Sequence, residues 1–81
     1  MLKIYGMMIC PDCVACCSDL EKANVEYEFL DFSKETQNLK EFLKLRDNSS
    51  LFDKARAEGS IGIPCIVRED GTLTLSWEEY M

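Results

Sequence analysis

At 81 residues the chain is long enough for one small domain, which leaves no room for a second catalytic domain, a repeat array or a long linker. Hydrophobic residues make up 47% and charged residues 30%, an ordinary globular balance, and a domain this short buries only about 60–65% of the surface of its unfolded chain, so shallow clefts are expected in place of a large enclosed site. Fifteen acidic against nine basic side chains give a net charge of −6, which repels phosphate backbones and anionic membrane surfaces and argues against nucleic-acid and membrane partners.

Leu2-Lys3-Ile4-Tyr5 alternates and stops at Gly6, the pattern of a short first strand. The loop Met7-Met8-Ile9 leads to Cys10 and Pro11. A proline in the first helical position gives up an N–H that would be unpaired anyway, so Cys10 reads as the N-cap of a helix from Pro11 to about Ala23. Val14, Cys17 and Leu20, with Cys13 and Cys16 beside them, recur at three- and four-residue spacing and form its apolar face, while Asp19, Glu21 and Lys22 face water. Asn24 suits a left-handed stop. Val25 to Phe32, rich in β-branched and aromatic residues, reads as a second strand, and a strand, helix and strand in that length make a parallel crossover unit.

Ser33 is placed to cap a second helix whose Leu39, Phe42 and Leu43 form an apolar stripe up to about Arg46. After the interruption at Asp47-Asn48-Ser49-Ser50, a shorter helical piece from Leu51 to Glu58 ends at Gly59. Cys65 to Arg68 and Thr72 to Leu75 are two strands joined by a hairpin that Asp70-Gly71 marks. Ser76 and Glu79 have the spacing of a capping box, so a last, short helix starts at Trp77. The order βα, βα, helical turn, ββ and helical stub predicts an α/β fold, a four-stranded mixed sheet flanked by helices.

The N-terminus opens directly on the first strand with no apolar leader, and no apolar run approaches the roughly 20 residues of a membrane helix, so the expected location is cytoplasmic. Five cysteines cannot all pair within one chain, and in a leaderless protein they read as catalytic or metal-binding. The absence of histidine removes Cys–His proteases and His-containing metal sites, and no Gly-rich phosphate loop or dinucleotide fingerprint is present.

Cys10-Pro11-Asp12-Cys13 stands where strand gives way to helix. A thiolate is the reactive form of cysteine, and the unpaired N–H groups and positive dipole end of a helix stabilise an anion at the N-cap by roughly 0.3–2 kcal/mol. Cys10 is therefore the expected nucleophile, and Cys13, three residues on, is placed to reach back and close a disulfide with it. Asp12 supports the helix dipole but opposes a nearby thiolate by about 1 kcal/mol at 4 Å in water.

A first strand, Cys-Pro-X-Cys opening a helix, a second strand, and Ile63-Pro64 leading into an apolar strand resemble the glutaredoxins of the thioredoxin fold, over essentially the whole chain, with the family's last helix curtailed. The resemblance implies a cis peptide bond before Pro64, a loop lying against the two cysteines, and backbone groups of Ile63 that pair with substrate. It also implies glutathione as co-substrate, with no tightly bound cofactor. The chain departs from the family at Met7, Met8 and Ile9, where many members carry a basic residue, and at Leu75-Ser76-Trp77-Glu78-Glu79, which replaces the Gly-Gly-X-Asp-Asp segment that holds glutathione. Ser76 and Glu78 would substitute in part, and Lys54 or Arg56 would bind a substrate carboxylate unless they are simply solvated helix charges.

Cys16 reads as core, Cys17 as packing in preference to an alternative disulfide, and Cys65 as a secondary candidate that nears the pair if the proline loop docks. The leading expectation is a monomeric dithiol–disulfide oxidoreductase acting through Cys10 and Cys13 on protein disulfides or glutathione mixed disulfides, with glutathione or a thioredoxin-reductase-like donor. The alternatives are a metal or [2Fe-2S] module, for which bridging two chains with glutathione suits four cysteines on one helix better than enclosing an ion within one chain, and a redox-inactive interaction domain that docks through Met7, Met8 and Ile9.

Overall fold

The first strand, β1 (Leu2–Gly6), lies between a parallel neighbour, β2 (Tyr27–Asp31), and an antiparallel one, β3 (Cys65–Val67), with β4 (Leu73–Thr74) outside β3. The computed structural model, which describes residues 1–81, thus contains a mixed four-stranded sheet in the order β2-β1-β3-β4. A parallel β1/β2 pair requires a crossover, and α1 (Pro11–Lys22) supplies it. The rest of the chain forms α2 (Thr36–Asp47), a 3₁₀ turn at Ser50–Phe52, α3 (Asp53–Glu58) and a closing 3₁₀ turn at Trp77–Tyr80. None of these helices is long and apolar enough to cross a membrane.

Because side chains alternate along a strand, β1 feeds two cores. Leu2 and Ile4 meet Cys16 and Leu20 of α1 together with Ile66, with Trp77 and Tyr80 packed around them. Tyr5 points the other way, into a cluster with Phe32, Phe42, Phe52 and Cys65. Phe42 is the hub of that second core: its ring centroid lies 5.1 Å from Phe32, 6.4 Å from Tyr5 and 5.7 Å from Phe52, the last edge-on. The Tyr5 hydroxyl, which donates to Glu41 Oε1 at 3.0 Å, ties α2 to the central strand.

Several boundaries and faces differ from the sequence expectation for identifiable reasons. The buried face of α1 is Cys13, Cys16, Cys17 and Leu20, whereas Val14 is 49% exposed, so the helix is rotated to put sulfur rather than the branched residue against the sheet. Ser33 does not cap α2, whose N-cap is Glu35; its hydroxyl and N–H both turn back to the Asp31 carboxylate. Leu39 and Leu43 stay more than a third exposed, which leaves Phe42 as the one fully buried residue of α2, with Leu45 packed beside it. The Ser76/Glu79 capping box does not form: Ser76 bonds to Glu78, Glu79 pairs with Arg68 of the hairpin, and only a 3₁₀ turn results. The stops hold as read, with Asn24 and Gly59 at positive φ and Gly71 at positive φ in the hairpin turn.

Phe42→Ala should cost about 3–5 kcal/mol, a large share of the roughly 5–15 kcal/mol that stabilises a small domain. Urea unfolding followed by fluorescence is expected to show a much lower midpoint for this variant and a far smaller loss for Phe42→Leu.

Candidate functional site

Cys10 takes the N-cap position of α1 with extended backbone (φ −81, ψ 122), which turns the chain out of the loop and into the helix. Its N–H donates to the Met7 carbonyl at 3.0 Å and its carbonyl accepts from the Val14 N–H at 3.1 Å, so the backbone is fixed on both sides. The side chain makes no capping hydrogen bond and is only partly covered. A sulfur is thus left accessible at the positive end of a three-turn helix, where Pro11 withholds one N–H and those that follow in the first turn have no intrahelical partner.

Cys13, one turn along, has no exposed surface. Burial pushes its thiol up to about 12; a hydrogen bond from the Met7 backbone works against that, and a hydrogen bond with the Cys10 thiol adds to it. At neutral pH Cys13 therefore keeps its proton and faces Cys10 with it. The space for this sulfur exists because β1 ends in glycine: a Cβ at Gly6 would stand 2.6 Å from Cys13 Sγ and 3.4 Å from the Phe29 ring. Gly6→Ala should cost about 1–3 kcal/mol through this clash, and much less in a Cys13→Ala background, a difference that denaturation of the four chains in a double-mutant cycle reads directly.

The loop ahead of Cys10 is held from the end of β2. Asp31, 5% exposed, accepts from the Ser33 hydroxyl at 2.6 Å, from the Ser33 N–H at 2.7 Å and from the Met8 N–H at 3.4 Å. These bonds, the Ser33 hydroxyl foremost, hold its carboxyl below the usual value of 3.8. A depressed carboxyl contributes stability that is complete above the unfolded value and lost as pH falls through the folded one. Stability should therefore drop on acidification below about pH 4, and Asp31→Asn should remove part of that drop while costing about 1–3 kcal/mol at pH 7, measured by urea titration across pH 2–7.

The segment Gly59–Pro64 closes the site from the far side. The Ile63–Pro64 peptide bond is cis, as the resemblance implied. Gly62 has φ +92, and a Cβ there would stand 2.6 Å from the Phe52 ring, so only glycine lets the segment pack onto the aromatic core. Two shallow clefts meet along it. One, of about 340 Å³, is lined by Cys10, Met7, Ile9 and residues 59–63. The other, of about 370 Å³, shares Ser60, Gly62 and Ile63 with the first and extends past Pro64 to Asp12, Lys54, Glu58 and Trp77.

The structure thus brings Cys10, Cys13, Ile63 and Pro64 together, and Lys54 lines the second cleft. It does not bring Arg56, Ser76 or Glu78 to either cleft. Arg56 is occupied by Asp53 and by the backbone carbonyls of Arg46 and Ser49, where it fastens α3 to the end of α2. Ser76 and Glu78 bond to each other on an exposed turn. Trp77 is the residue that sequence reasoning passed over. Its Nε1 donates to Asp19 of α1 at 2.9 Å, which swings the ring into the second cleft, and a lone tryptophan beside a hairpin was its only sequence signal.

The remaining cysteines are packed. Cys16 sits in the first core with its thiol pushed up to about 12 by burial, and Cys17 lies under Tyr27, raised chiefly by burial. Cys65, opposite Tyr5 in the β1/β3 register, belongs to the aromatic core on the other face of the sheet from α1; burial raises it to about 12, and it lines neither cleft. No three Cys, Asp or Glu side chains are grouped so as to hold a metal ion.

No family model and no solved structure matches the chain. A protein of Haemophilus influenzae, described as uncharacterized, is 35% identical over 66 residues, which span 82% of this chain and 77% of that protein.

Proposed function

The chain belongs to the same family as the Haemophilus protein, whose description assigns no activity, so its chemistry has to come from the site, and we propose a glutaredoxin-like thiol–disulfide oxidoreductase of the thioredoxin fold. The sheet order, the crossover helix opened by Cys10-Pro11-Asp12-Cys13 and the Pro64 loop beside it support the fold reading. One observation carries the function: an accessible sulfur on the open first turn of α1, with a second, buried thiol one turn along and hydrogen-bonded to it.

The reaction runs in two displacements. The Cys10 thiolate attacks one sulfur of a substrate disulfide, forming a mixed disulfide and expelling the other sulfur as a thiolate, which takes up a proton. Cys13 then gives up its proton and attacks the Cys10 sulfur, closing the Cys10–Cys13 disulfide and expelling the second substrate thiol. Counted from the dithiol, the protein loses two electrons and two protons, one of them released to water when Cys10 ionises, and the substrate gains two electrons and two protons. Burial of Cys13 suits this order, because a thiol held protonated does not compete for the incoming disulfide and reaches only the sulfur beside it. The cycle is reset by glutathione or by a reductase that returns the two electrons.

Turnover of a protein disulfide, with glutathione or thioredoxin reductase as donor, should fall at least about a hundredfold in Cys10→Ser, and Cys13→Ser should accumulate a substrate adduct on Cys10 visible by mass spectrometry. Protein purified anaerobically with bound iron and no turnover would instead identify a chain-bridging [2Fe-2S] module and overturn the proposal, as would turnover that survives loss of Cys10.

A further inference from the structure

The charges around the two clefts are unevenly committed. Lys54, the only basic side chain lining either cleft, lies 3.9 Å from Glu58 on the same cleft wall. Arg56 is held by Asp53, and Arg68 by Glu79. Asp12, exposed and two residues beyond Cys10, enters no ion pair. A carboxylate entering the second cleft meets Asp12 and Glu58 against the single cation Lys54, whose exposed 3.9 Å contact with Glu58 offsets only one of the two negative charges, in a chain whose net charge of −6 adds to the repulsion at longer range. The opposite flank has the other character. Met7, Ile9, Ile61 and Ile63 line the first cleft without a charge among them, and Ile9 is 84% and Ile61 51% exposed. Exposed isoleucines beside a reactive thiol are apolar area that a bound partner would remove from water.

We propose that the disulfide attacked by Cys10 belongs to a protein segment whose cysteine has an apolar residue on one side and lysine or arginine on the other, and that glutathione disulfide is a poor oxidant of this site. The inference rests on the thiol-exchange reading and names its substrate class. The apolar neighbour lies on Ile9 and Ile61, the cysteine stands against Cys10 in the first cleft, and the basic neighbour passes Ser60, Gly62 and Ile63, which the two clefts share, to reach Asp12 in the second. Glutathione disulfide carries more carboxylates than ammonium groups and offers no apolar side chain, so it gains from neither flank. Sulfur exchange and electron balance are those already described: two protein thiols become a disulfide, and the substrate disulfide becomes two thiols.

The test uses the reduced protein and four disulfides: two blocked peptides carrying a Leu-Cys-Lys or a Leu-Cys-Glu core, each as the mixed disulfide with mercaptoethanol; glutathione disulfide; and neutral hydroxyethyl disulfide. Single-turnover formation of the Cys10–Cys13 disulfide is followed by quenching and mass spectrometry. The expected result is that the Lys peptide reacts about fivefold or more faster than the Glu peptide or glutathione disulfide at low salt. That ratio should shrink toward one at about 1 M salt and invert in Asp12→Lys. Equal rates for the two peptides, a faster anionic probe, or a ratio indifferent to Asp12→Lys would overturn the substrate assignment while leaving thiol exchange intact, since hydroxyethyl disulfide would still be reduced. Failure to react even with hydroxyethyl disulfide would remove the proposed function and this inference with it.

Discussion

A single sulfur, that of Cys13, is where helix, strand and loop are reconciled. It rests against the one residue of β1 that has no side chain, receives a hydrogen bond from the Met7 backbone, and shares one with the Cys10 thiol. Nothing bulkier than glycine at the end of β1 would let α1 settle at this height over the sheet. The same contact strips water from Cys13 and keeps it protonated, while Cys10, one turn earlier and at the helix end, stays open. Two chemically identical groups three residues apart are thereby given different environments, and a difference of environment is what a two-step exchange needs.

The rest of the chain maintains that asymmetry. β1 is central, so one core fixes α1 through Leu2, Ile4, Cys16 and Leu20, and the other, built on Phe42 and Phe52, fixes the far side of the sheet. Gly62 carries the second core into the site, since its close approach to Phe52 seats the segment that ends at Pro64. Asp31 does the same for the loop before Cys10 from the end of β2. Both sides of the thiol pair are therefore attached to strand ends or to packed aromatic rings, the rigid parts of a small domain.

Five cysteines in so short a chain invite the reading that all of them are functional, and burial separates them. Cys16, Cys17 and Cys65 behave as small apolar residues, each with its thiol raised by desolvation, and Cys65 faces the opposite side of the sheet from Cys13. Sulfur fills much of the interface between α1 and β1, and Val14 is turned outward.

Local chemistry alone determined the strand at Leu2–Gly6, the helix that Pro11 opens with Cys10 as its cap, the stops at Asn24 and Gly59, the hairpin at Asp70-Gly71 and the placing of Cys10 and Cys13 one turn apart, because each depends on residues within a turn or two of one another. Tertiary structure decided the rest. It chose which face of α1 is buried, gave Arg56 to the end of α2, took Ser33 from α2 for Asp31, dissolved the Ser76/Glu79 cap in favour of Arg68, and brought Trp77 to α1. Arg56, Glu79 and Trp77 each reach a partner far along the chain, at the end of α2, on the hairpin and on α1, whereas Ser33 turns back two residues to Asp31, whose carboxylate the fold buries. Which partner a polar group takes depends on which groups the fold removes from water, because a bond to a buried group outweighs one that water replaces at little cost.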